Sequence, residues 1–128
     1  MLELILVRHG ETDSNKRGTY LGWTDVELNS NGIRQACAIR DRLKPVKVDA
    51  IYSSPFKRTV KTAEIINENY GLEIIISDNL KERNFGIWDD LTFEEISSKY
   101  PAECRKWFED WINFRMKNGE SAKDTYDR

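Results

Sequence analysis

The chain has 128 residues, with 20 lysines and arginines against 22 aspartates and glutamates and a formal net charge of −2. That length fits one domain spanning 1–128, able to bury a core without disulfides or metal, and a pI near 5.5 excludes the strongly basic footprint of a nucleic-acid binder. No run approaches a membrane span and no signal-peptide pattern opens the chain, so the reading is a cytoplasmic protein without membrane or nucleic-acid partners.

Leu2–Val7 is an apolar run of strand length broken only by Glu3, the pattern of a strand buried on both faces in a parallel sheet. It ends at Arg8-His9-Gly10, and a polar stretch then runs to about Asn29, with Tyr20, Leu21, Gly22 and Trp23 reading as a packed loop. Ile33, Ala36, Ile39 and Leu43 recur at helical spacing up to Pro45. Asp49–Ser54 reads as a second strand. Pro55 then marks a helix start, and Val60, Ala63, Ile66 and Tyr70 give a helical face closed by Gly71. Glu73–Ser77 completes a strand, helix, strand, helix, strand alternation, which builds a parallel sheet with right-handed crossovers. The fold class is α/β.

Further on, Thr92 and Glu95 have capping-box spacing, opening a short helix that ends before Pro101. A longer helix is predicted to carry Cys104, Trp107, Phe108, Trp111, Ile112 and Phe114 as far as Asn118-Gly119, with both tryptophans in the core. Ser121 to Asp124 opens another. The two cysteines, Cys37 and Cys104, lack Cys-x-x-Cys spacing and read as free, partly buried thiols. His9 is the single histidine, so the common zinc constellations cannot be assembled, and neither metal nor cofactor is expected.

In open α/β sheets, ligands bind at the carboxyl ends of the strands. Those positions are Arg8 to Thr12, Ser53 to Arg58, and Leu80 to Arg83, gathering one imidazole, guanidinium groups, hydroxyls and the Glu82 carboxylate on one edge. Guanidinium groups bind phosphate by paired charge-assisted bonds, and free N–H groups at the helix start near Pro55 would face the same anion. A neutral imidazole there can attack phosphorus, with Glu82 supplying the leaving group's proton. Taken singly, His9 reads as an ordinary strand-end histidine, Arg58 as a solvated helix charge and Glu82 as a surface carboxylate. Their convergence carries the functional reading.

These residues carry a resemblance. Arg8-His9-Gly10-Glu11-Thr12 with Asn15, Gly22-Trp23-Thr24-Asp25, Tyr52-Ser53-Ser54-Pro55 with Arg58-Thr59, and Glu82 followed by Asn84-Phe85-Gly86-Ile87-Trp88 are similar to the histidine phosphatase superfamily. Its other branch is the cofactor-dependent phosphoglycerate mutases. The segments after Thr92 resemble the short phosphatase branch, especially the α-ribazole phosphatases of cobalamin assembly. The resemblance implies a phosphoglycerate mutase-like three-layer α/β/α sandwich with a mostly parallel sheet. It also implies His9 as phosphorylated nucleophile, Arg8 and Arg58 as phosphate clamps, Glu82 as proton donor, and Asn15, Leu21 and Gly22 as further phosphate- or substrate-binding positions.

Two departures accompany it. The family usually has Glu-Gly after the tryptophan, whereas this chain has Asp89-Asp90. The family also needs a second pocket histidine on a later Ser-His-Gly segment, so the sequence reads as truncated at its C-terminus. The implied partner is a small phosphorylated substrate, hydrolysed through phosphohistidine. The alternatives are mutase-type phosphoryl transfer and an inactive phospholigand-binding fragment. A strand missing between those ending at Arg8 and Ser53 would leave apolar edges, through which the chain would form a homodimer or which it would expose.

Overall fold

In the computed structural model, which describes residues 1–128, the first regular element is a five-residue helix, α1 (Asp13–Arg17). Thr12 and Asn15 cap it reciprocally, and Gly18 closes it in the left-handed region at φ 74°. The Asn29 side chain accepts from the Gly32 N–H to open α2 (Ser30–Leu43). Strand β1 (Ile51–Ser53), helix α3 (Lys57–Asn67) and strand β2 (Ile74–Ile76) follow. β1 and β2 pair in parallel, with Ile51 opposite Ile74, Tyr52 opposite Ile75 and Ser53 opposite Ile76. α3 packs on this sheet and α2 packs on α3. Two polar ties join the ends of those helices: Tyr70 Oη donates to the Leu43 carbonyl at 2.8 Å, and Asn69 Nδ2 to the Arg40 carbonyl at 2.6 Å.

Leu2–Val7 does not form the expected strand. Leu2 and Leu6 are 84% and 91% exposed, and no backbone group of residues 1–9 enters a backbone–backbone hydrogen bond. The composition is that of a central strand, but a strand needs a ladder partner, and β1 is paired only with β2. The sheet therefore has two strands where the sequence pattern has three.

The second half of the chain gathers around Trp88, Ile96, Cys104 and Met116, all buried. Full burial of a side chain such as Ile96 contributes about 2 kcal/mol. Short 3₁₀ turns at Asp78–Leu80 and Gly86–Trp88 lead to α4 (Phe93–Lys99), whose Thr92–Glu95 capping box is formed as expected. α5 (Pro101–Glu109) is shorter than its apolar periodicity suggests. Asp110 Oδ1 accepts from the Asn113 N–H at 3.1 Å and starts a separate turn, leaving Trp111 57% exposed and outside the core. Trp107 does pack against the core cluster. Ser121 caps the last helix, α6 (Ala122–Asp127). Both cysteines are free, Cys104 buried and Cys37 half-buried. No helix is long and apolar enough to cross a membrane.

Candidate active site

His9 sits where the N-terminal run meets the body of the fold. The Gly10 N–H donates to Thr62 Oγ1 at 3.1 Å, and the Thr62 hydroxyl donates to the Arg58 carbonyl at 2.7 Å. One α3 hydroxyl thus ties the backbone beside His9 to the turn that bears Arg58. Gly10 must be glycine for packing reasons, because a Cβ there would strike the Gly32 backbone at the start of α2.

The imidazole is half-buried, and its Nδ1 lies 2.7 Å from the Gly10 carbonyl oxygen. A carbonyl can only accept, so Nδ1 carries the proton and the neutral ring presents a bare lone pair at Nε2. Burial pushes the His9 pKa below its ordinary value; the Gly10 hydrogen bond opposes this, Arg58 and Arg8 reinforce it, and Glu82 pulls the other way. Nε2 is left as the ring's basic atom.

Arg58 is 1% exposed. Its Nη1 donates to the Thr24 carbonyl at 3.0 Å and its Nη2 to the Gly22 carbonyl at 2.6 Å, with the guanidinium over the Phe56 ring at 4.6 Å. No carboxylate forms an ion pair with it, and its buried Nε–H has no partner. A buried cation with an idle donor is costly unless an anion completes it. The start of α3 differs from expectation, because the Lys57 N–H is already taken by Asp25 Oδ1 at 2.7 Å. Thr59 and Val60 both donate to the Phe56 carbonyl, so that turn is largely spent.

Arg8 is exposed and lines a cleft of about 440 Å³ with Asn15, Tyr20 and Phe93. The Asn15 side-chain Oδ1 serves the α1 cap, accepting from the Thr12 N–H and hydroxyl. Leu21 and Gly22 are buried, and Gly22 contributes its carbonyl to Arg58. Glu82 is exposed; its Oε1 accepts from the Arg83 N–H at 2.7 Å, and its carbonyl accepts from Trp23 Nε1 and Arg128 Nη2. His9 thus lies within electrostatic reach of Arg58, Arg8 and Glu82, and Arg58 within reach of Glu82, while Asn15 lines the same cleft as Arg8.

Sequence reasoning assigned no role to Thr62, Asp25 or Asp89. Asp89 Oδ1 accepts from the Gly22 N–H at 2.6 Å, and its Oδ2 from the Thr24 N–H at 2.6 Å and hydroxyl at 2.8 Å. Asp90 has φ 56° and anchors Thr19 and Arg17, each at 2.8 Å. The only signal in the sequence was that Asp89-Asp90 stands where Glu-Gly is usual.

Residues 4–128 match the histidine phosphatase superfamily (branch 1). The chain belongs to that superfamily. It is 40% identical to phosphoserine phosphatase 1 of Hydrogenobacter thermophilus over 128 residues, all of this chain and 61% of that protein. It is 37% identical over 130 aligned residues to a phosphoglycerate mutase of Schizosaccharomyces pombe, covering 98% of this chain and 62% of the mutase. The α-ribazole phosphatase from Shigella flexneri superposes with a TM-score of 0.89 at 28% identity, covering 94% of this chain and 60% of that one. The chain thus spans about 60% of the length of these superfamily relatives, and its α/β fold with a parallel sheet is theirs.

Proposed function

We propose that the chain carries the phosphoryl-transfer half-site of a cytoplasmic phosphatase that hydrolyses small phosphate monoesters through phosphohistidine at His9. The observation that carries this reading is the buried Arg58 guanidinium, without a carboxylate partner and with its Nε–H free, in electrostatic reach of a neutral imidazole whose Nδ1–H is already tethered. Arg58 and Arg8 receive the phosphoryl oxygens, and His9 Nε2 attacks phosphorus in line with the leaving alkoxide. Glu82 gives that alkoxide its proton and then takes one from the attacking water, so the P–O bond broken is replaced first by P–N and then by P–O. Phosphoserine and α-ribazole 5'-phosphate, named by two relatives, are the first substrates to assay.

The test is brief incubation with [³²P]phenyl phosphate followed by acid and alkaline treatment. The expected label is acid-labile, alkali-stable and absent from His9→Ala. Label that survives this substitution would overturn the reading.

A further inference from the structure

Arg58 presents an electrostatic problem. A carboxylate placed directly on it would satisfy its charge and also occupy the donors that an oxyanion needs. The fold instead holds Asp89 one loop away. Its two carboxylate oxygens collect the N–H groups of Gly22 and Thr24, while the carbonyls of the same two residues face the Arg58 Nη atoms. Residues 22–24 are thus gripped from both sides, by an anion on their donors and a cation on their acceptors. Gly22 has no freedom to move toward the 82–89 segment, because even a Cβ there would strike the Arg83 carbonyl. The Arg58 Nε–H is left buried and free.

We propose that Asp89 is a positioning residue for Arg58, acting through the Gly22–Thr24 loop to fix the guanidinium plane while leaving its Nε–H available to an oxyanion. This rests on the phosphate-site reading given above. Asp89 touches no reacting atom; it acts by preorganising the group that does.

The experiment compares the 128-residue chain with Asp89→Ala, Asp89→Asn, Asp89→Glu and the milder Thr24→Val, which removes only one of the three bonds to Asp89. Orthovanadate affinity is measured by calorimetry. In parallel, the ¹H–¹⁵N resonance of the Arg58 Nε–H, identified by its loss in Arg58→Lys, reports guanidinium order without any ligand. Asp89→Ala and Asp89→Asn are expected to weaken vanadate binding about tenfold and broaden the Nε–H resonance, with a smaller loss for Thr24→Val and recovery in Asp89→Glu. Vanadate affinity unchanged in Asp89→Ala would overturn the positioning role and leave the phosphate reading standing. No vanadate binding by the unsubstituted chain would overturn the phosphate reading, and the role built on it.

Discussion

At His9, the neighbouring backbone decides the chemistry. The Gly10 carbonyl takes the Nδ1 proton, and burial together with Arg58 and Arg8 disfavours the imidazolium. The folded pKa therefore lies below the unfolded one. As pH falls through the ordinary imidazole range near 6.5, the unfolded chain binds a proton before the folded chain does, so His9 lowers stability on the acid side and not above that range. Because His9 is the only histidine, its ring resonances can be titrated without ambiguity. They should show a midpoint below the unfolded value, which moves upward in Arg58→Gln as one acidifying charge is removed. A downward shift would contradict the assigned neighbourhood. Arg58→Lys should weaken vanadate binding roughly tenfold, since an ammonium cannot serve two carbonyls and an oxyanion with one planar fork; calorimetry checks this.

At the scale of elements, α3 is started from a distance. Phe56 offers no capping side chain, and Asp25, 32 residues earlier, accepts from the Lys57 N–H. Asp25→Ala should cost about 1 kcal/mol in urea unfolding, the usual value of a lost helix cap, and should lower vanadate affinity because Arg58 lies on that first turn. The caps at Thr92 and Ser121 were legible in the sequence because capping is local, and α2 was legible because its apolar spacing is helical throughout. α1 escaped notice because it is five residues long and its box uses Asn15 in place of Glu or Gln. The end of α5 was misjudged because aromatic spacing continues past Glu109, while the Asp110 side chain competes for the backbone. In the site, His9 and Arg58 could be named from residue type and place in the alternation. Asp89 could not, because its partners lie 65 and 67 residues away and no local pattern links them.

For the whole molecule, the dominant feature is the unpaired apolar run at its start. Leu2, Leu4, Ile5, Leu6 and Val7 are all exposed, and the sheet is only two strands wide. Such a segment is a template for pairing with another copy. The chain should associate as concentration rises, and Leu4→Lys with Leu6→Lys should suppress this in light scattering while leaving the melting temperature within a few degrees, since those side chains bury little here. Equal association by the double variant would place the contact elsewhere. The missing ladder also has a consequence for His9. The backbone next to His9 is held through Gly10 to Thr62 on α3. The placement of the ring therefore rests on the α3 hydroxyl of Thr62, so a change in that helix reaches the imidazole through Gly10.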